Sequence, residues 1–162
     1  MDQLSEEDLV LVALRKITRA MDLYSRKLRK TVGLTAPQLL LLQAINNKAD
    51  VSISTLSDEV SLSQATVTSI IDRLESRGLV QRKRSDVDKR VVHAMLTPDG
   101  ERVLESAPTP LQEQFSTQFA DLEDWEQTLI ITALQRVASL MNAQEIDASP
   151  VLHIDADIEK NG

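Results

Sequence analysis

The sequence predicts a mainly α-helical fold that carries one small β-hairpin, on three observations. Tyr24, Phe115, Phe119 and Trp125 are the only aromatic side chains in 162 residues. The core must therefore be built from Leu, Ile, Val and Ala, which suits helices packed on helices. Apolar residues recur at helical spacing along most of the chain. The exception is 79–96, where Leu79-Val-Gln-Arg-Lys, the polar Ser85-Asp-Val-Asp and Val91–Leu96 read as strand, turn and strand.

The elements follow in order. Residues 5–31 form one long helix, with Val10, Leu14, Ile17, Met21, Tyr24 and Leu28 in a 4-3-4-3-4 stripe. That stripe is longer than a small core needs, so part of it is expected to meet another subunit. Arg26, Lys27, Arg29 and Lys30 suit the negative end of the helix, and Gly33 stops it. Thr35-Ala-Pro-Gln38 opens a second helix: Thr35 can cap, Pro37 sits in the first turn, and Gln38 can reach back. This helix carries Leu39–Leu42 and Ile45 and ends near Asn46-Asn47.

Residues 53–60 form a short helix with Leu56 and Val60 inward. Ser61-Leu62-Ser63 makes a tight connection, and Ser63 caps the next helix, roughly 64–77, which buries Val67, Ile70, Ile71 and Leu74 and ends at Gly78. Two short helices so joined form a helix-turn-helix pattern, although an ordinary helical hairpin fits the spacing equally well. The strand-turn-strand that follows at once decides between them, because the combined order is that of a winged helix. Thr97-Pro98 starts a further helix through Val103, Leu104, Ala107, Leu111, Phe115 and Phe119, with a kink or break expected at Pro108 and Pro110. Leu122–Asn142 is the last helix, and 143–162 is expected to be an acidic, mobile tail.

Charge is segregated along the chain. The net charge is −7, yet residues 1–98 carry +3 and residues 99–162 carry −10. The first part can meet a polyanion while the second keeps the molecule soluble. There is no Cys, so disulfides, thiolate metal sites and cysteine-based redox sensing are excluded. The acidic N-terminus lacks the order of a signal peptide, and no apolar run approaches the length of a bilayer span. A cytoplasmic location without a membrane partner is expected.

Duplex DNA is a dense row of phosphates, and its sequence is read by side chains on a helix in the major groove. Gln64, Thr66, Thr68, Ser69 and Arg73 form a short polar face on helix 64–77. Gln64 can pair in bidentate fashion with adenine, and the threonine methyls can meet thymine methyls. Arg73 and Arg77, one turn apart, can clamp phosphates. A hairpin beside such a helix is placed to enter the neighbouring minor groove, where Arg is favoured. Asp88 would repel phosphate, so its expected role is to pair with Arg90 or cap the turn.

The run LSDEVSLSQATVTSIIDRLESRGLVQRKRSDVDKRVVHAMLTPDGERVL resembles the DNA-binding core of the MarR family of bacterial regulators. The marks are Thr66-Val-Thr, Asp72-x-Leu74-Glu75, Gly78-Leu-Val, Asp88-Lys-Arg90 and Leu96-Thr97. The likeness covers about residues 5–142 in element order and is strongest over 54–104. It implies a homodimer formed by a helix within 1–34 and helices within 98–142, around a winged helix-turn-helix of 35–97. It also implies a double-stranded, pseudo-palindromic operator, with the recognition helix in the major groove and Arg90 in the minor groove.

Candidate DNA contacts are Ser63, Gln64, Ala65, Thr66, Thr68, Ser69, Arg73, Arg77, Arg84, Lys89 and Arg90, with Asp88 as wing support. Many family members are repressors released by a small anionic or phenolic effector. Arg15, Arg19 and Tyr24 are the lining residues that the family location suggests. The stretch LVLVALRKITRAMDLYSRKLRKTVGLTAPQL is similar to a subgroup linked to control of osmotic, compatible-solute genes. Pro108, Pro110 and the acidic tail depart from the family pattern.

Other polar groups read as ordinary. His93 and His153 each lack a nearby second His, so a metal site is not expected. Asp155, Asp157 and Glu159 lack the glycine and loop of a calcium site. Trp125 and the two phenylalanines lie on helical stripes and read as core or dimer contacts. Neither a nucleophile elbow nor a phosphate loop is present, so neither an enzyme nor a cofactor is expected. The rival reading is a winged-helix protein-interaction module that does not bind DNA. The net +4 of residues 73–90 argues against it.

Overall fold

The computed structural model describes residues 5–146 of the chain. Among them seven helices and three short strands follow in the order α1 (Glu6–Val32), α2 (Ala36–Lys48), β1 (Val51–Ser52), α3 (Ile53–Val60), α4 (Gln64–Ser76), β2 (Val80–Arg84), β3 (Val92–Leu96), α5 (Pro98–Ser106), α6 (Leu111–Ala120) and α7 (Asp124–Leu140). The chain divides into two compact units after Pro108.

In the first unit, α1 begins at a capping box. Ser5 Oγ accepts from the Asp8 N–H at 3.1 Å, and the Asp8 carboxylate accepts from the Ser5 N–H at 3.1 Å. These bonds from Ser5 hold the Asp8 carboxyl below the usual carboxylate range, so the cap is complete above that range and is lost as pH falls below it. Gly33 ends α1 in the left-handed conformation (φ 66°), with its N–H on the Arg29 carbonyl. Gln38 reaches back as expected, its Oε1 accepting from the Thr35 N–H at 3.0 Å.

Helix α2 runs on to Lys48, slightly past the expected end. Ala49 then turns the chain at φ 62° and ψ −43°, and the Asp50 N–H bonds the Lys48 carbonyl at 2.7 Å. That turn delivers β1, which the sequence pattern does not announce.

The α3–α4 connection is tight because Ser61 adopts a left-handed conformation (φ 53°) and the Leu62 N–H returns to the Ser57 carbonyl. Ser63 caps α4, its Oγ accepting from the Thr66 N–H at 3.1 Å. The strands form an antiparallel sheet in the order β1-β3-β2. Register pairs Val80 with Leu96 and Arg84 with Val92, while Val51 faces Ala94 from the other edge.

The core is aliphatic, as composition requires. Leu28, Leu34, Leu39, Leu41, Leu42, Ile45, Leu56, Val67, Ile71, Leu74 and Ala94 are fully or almost fully buried, and Ile70 packs against them. Of the six residues in the α1 stripe, Leu28 alone is buried. Helix α5 packs on α1, α2 and β3.

The prolines produce a break rather than a kink: α5 stops at Ser106, and α6 begins after Pro110. Helix α7 opens at Glu123, whose N–H bonds the Glu126 carboxylate at 3.0 Å. Gln127 Nε2 ties the α6–α7 corner by donating to the Phe119 and Leu122 carbonyls. The residues 147–162 of the expected tail, with His153, Asp155, Asp157 and Glu159, lie outside the described residues. Among the described residues no helix is long and apolar enough to cross a membrane.

Candidate nucleic-acid interface

Helix α4 presents the polar face that its sequence predicts. Gln64, Ala65, Ser69 and Arg73 are exposed, and Thr66 and Thr68 are half-buried at the edge of the face. The opposite face is anchored by the buried Val67, Ile71 and Leu74, so the exposed one cannot rotate without opening the core. Three of the predicted residues already have work inside the fold. Ser63 and Thr66 share a hydroxyl–hydroxyl bond of 2.8 Å at the cap. Gln64 Nε2 donates to Ser54 Oγ of α3 at 3.2 Å, which orients the amide across the helix pair.

The β2–β3 hairpin is the wing, and main-chain bonds hold its turn rigidly. Ser85 Oγ accepts from the N–H groups of Val87 and Asp88, and Asp88 Oδ1 accepts from the Arg90 N–H at 2.9 Å. The Ser85 N–H and Val91 carbonyl close the hairpin at 2.9 Å. Of the two expected roles for Asp88, the turn cap is the one formed. Arg84, Lys89 and Arg90 are exposed, and their side chains have neither a hydrogen bond nor an ion pair among the described residues. Lys83 makes an exposed contact of 3.7 Å with Asp86. Three such cations on a braced hairpin form a surface that can accept phosphate or a groove edge without first breaking internal bonds.

Wing and α4 are joined by a residue that the sequence pattern does not single out. Alternation along β2 puts Arg82 on the Val80 side, toward α4. Its guanidinium bonds Asp72 and Glu75, with Nε to Glu75 Oε2 at 3.0 Å, and its N–H also reaches Glu75. The signal was visible in part: Asp72 and Glu75 are three apart on a helix whose surroundings are basic. Their partner was not, because it lies on another element. Arg82→Met should leave two carboxylates facing each other and destabilise the fold by about 0.5–1 kcal/mol at low salt. Urea unfolding of the single variant and of the double variant with Asp72→Asn measures the coupling, and additive effects would exclude the bridge.

Residues 34–92 match the family model described as the MarR family. The chain is also 30% identical over 125 residues to the HTH-type transcriptional regulator YsmB of Bacillus subtilis (strain 168), spanning 77% of this chain and 86% of that relative. The chain belongs to the MarR family. Among solved structures, a MepR-like protein complexed with pseudoligands superposes with a TM-score of 0.59 at 25% identity, covering 83% of this chain and 94% of that one. FabT of Streptococcus pneumoniae, solved in complex with DNA, shares the fold with a TM-score of 0.56 at 20% identity, over 85% and 98% of the two chains. The protein is a MarR-family winged-helix transcriptional regulator and not an enzyme.

Within this MarR-family frame, Arg77 departs from the expected clamp with Arg73. Its guanidinium leaves the α4 face and bonds the carbonyls of Val32 and Gly33. The three effector candidates do not come together either. Arg15 and Arg19 line a surface groove of about 580 Å³ with Val12, Lys16, Ala20 and Leu23, all on α1. Tyr24 is not part of that lining, and its hydroxyl donates to the Pro108 carbonyl at 3.3 Å. His93 lies on β3, where its Nδ1 donates to Asp50 Oδ1 at 2.7 Å and ties the lead-in of β1 to the wing strand. Among the described residues there is no group of three metal-ligating side chains.

Proposed function

We propose that this regulator is a homodimeric repressor of operator DNA that reads bases with the exposed face of α4 and grips the backbone and minor groove with the wing. The observation that carries the reading is a polar helix face and three exposed cations, Arg84, Lys89 and Arg90, on one rigid unit, the cations having no partner among the described residues. In this reading Gln64, Ala65, Thr66, Thr68 and Ser69 meet base edges, and Ser63 and Arg73 meet phosphates. Arg90 enters the minor groove, held at its main chain by Asp88. FabT, which shares this fold, was solved in complex with DNA, which supports DNA as the partner.

Dimerisation through 1–34 and 98–142 is supported by the apolar side chains that one chain leaves in water. Leu9, Val10, Leu11, Ile17 and Leu23 are exposed on α1, as are Trp125, Leu129, Ile131 and Leu134 on α7. Such surface is costly unless covered. In this reading a small anionic effector meets Arg15 and Arg19, beside Lys16 in the same groove, with Tyr24 further along α1.

The test is binding of the purified protein to genomic fragments, its own upstream DNA included, at low and high osmolarity and with candidate carboxylate and phenolic ligands. Specific binding should fall about 10³–10⁵-fold between 50 and 200 mM salt if about six to ten phosphates are contacted. Gln64→Ala should narrow the gap between operator and random DNA about 5- to 100-fold, with the salt slope unchanged. Capture of a protein and no DNA would favour the interaction-module reading, and DNA binding without sequence preference would remove base reading by α4.

A further inference from the structure

Arg77 terminates two helices at once. Its backbone is the C-cap of α4, where its N–H donates to the Arg73 carbonyl at 3.2 Å. Its side chain donates to the end of α1, with Nη1 on the Gly33 carbonyl at 2.6 Å and Nη2 on the Val32 carbonyl at 3.2 Å. The last carbonyls of a helix have no N–H partner within that helix and carry its negative partial charge.

Charge alone does not explain the choice, because Arg29 and Lys30 already place cations in the last turn of α1. What Arg77 adds is a rigid fork with two donors on successive carbonyls, which Lys cannot reproduce. The α1 end is shaped to receive it. A Cβ at Gly33 would lie 3.2 Å from Arg77 Nη2, so the residue without a side chain admits the guanidinium. Beside the link runs a cleft of about 370 Å³, lined in part by Thr31, Leu79, Arg102 and Ser106. Arg102 is paired with Asp99 and Arg77 is committed to α1, so the cleft offers no free guanidinium to a ligand.

We propose that Arg77 is a positioning residue that fastens the C-terminal end of the recognition helix to the C-terminus of α1. Its functional half rests on the proposed DNA-binding role of α4. Helix α1 is also the element proposed to be shared by two subunits, so a bond from it to α4 sets where each recognition helix sits relative to the dimer. In a two-fold binder that placement must match the half-site spacing of the operator.

The experiment compares Arg77→Ala, Arg77→Lys, Arg77→Gln and Arg73→Ala in the full chain. Two readouts are taken: amide hydrogen exchange in the free protein, and operator affinity against salt. Arg77→Ala should raise exchange about tenfold in both 29–34, where α1 loses two donors on its last carbonyls, and 74–79, where α4 keeps its backbone cap but loses its tether to α1. Arg77→Lys and Arg77→Gln should fall between it and the wild type, and they carry the test if the alanine variant does not fold. Operator affinity of Arg77→Ala should drop about tenfold with an unchanged salt slope, whereas Arg73→Ala should reduce the slope by about one and leave exchange as it was.

Unchanged exchange at 29–34 in Arg77→Ala would overturn the proposal, as would a slope reduced by one with protection intact, since Arg77 would then be a phosphate ligand. A wild-type protein that binds no DNA would sink the reading of α4, while the exchange data would still decide the link.

Discussion

Arg90→Ala should weaken operator binding about 10- to 100-fold, which corresponds to roughly 1–3 kcal/mol, and leave thermal stability close to that of the parent. The side chain is exposed and has no partner among the described residues, so its removal breaks nothing inside the fold. Its main chain is what the fold controls. The Arg90 N–H sits on Asp88 Oδ1 at 2.9 Å, and the Asp88 carbonyl accepts from the Val91 N–H at 2.9 Å. The turn therefore presents the guanidinium from a fixed base instead of holding it by an ion pair. In the proposed complex that guanidinium enters a narrow minor groove, where negative potential is concentrated and an arginine gains more than it would on an open phosphate row. Lys89→Ala should cost less and act evenly on all sequences, with a salt slope lower by about one. Fluorescence anisotropy over a salt series compares the variants. A dissociation constant for Arg90→Ala within twofold of the wild type would remove the wing from the interface.

Gly100→Ala should destabilise the fold by about 3 kcal/mol or more, although glycine-to-alanine inside a helix ordinarily gains close to 1 kcal/mol. The position is in the first turn of α5, and a Cβ there would fall on the Leu79 carbonyl oxygen, closer than real Cβ atoms come to backbone. That oxygen cannot retreat freely, because it accepts from the Thr97 N–H at 3.1 Å. The Thr97 hydroxyl in turn caps Gly100 N–H at 3.0 Å and donates to the Gly78 carbonyl at 2.6 Å. The substitution thus pushes the start of α5 away from the strand that leads into the wing. For a chain of this size the melting temperature should fall by about 6–12 °C. Gly78→Ala is the control. Gly78 has φ 71° and open space within 4 Å of where an alanine methyl would stand, so its replacement should cost only about 1 kcal/mol of backbone strain. Equal melting points for Gly100→Ala and the wild type would contradict the packing of this corner.

Local pattern carried much of the architecture. The caps at Thr35, Ser63 and Thr97, the stop at Gly33 and the alternation over 79–96 each depend on a few adjacent residues, and each forms where the sequence places it. The exposed face of α4 was equally legible, because the 3.6-residue period separates Val67, Ile71 and Leu74 from Gln64, Ser69 and Arg73. The prolines announced an interruption, and the strength of the effect, two separate helices, followed from having two of them within three residues.

What the sequence could not supply was partnership across elements. Strand β1 is two residues long, and Val51-Ser52 has no strand signature without Ala94 and His93 beside it. Arg77 has the spacing of a phosphate clamp with Arg73, yet its long side chain finds two helix-end carbonyls 44 and 45 residues earlier. Arg82 sits beside Lys83 and Arg84 in the sequence, and it is the bridge from the wing to Asp72 and Glu75. Charge and period are properties of neighbours in the chain, so the sequence by itself determined the helices, the hairpin and which face of α4 meets solvent. A flexible cation takes whichever acceptor the packed fold brings within reach, so only the tertiary structure decided which arginines brace α4 and which have no partner among the described residues.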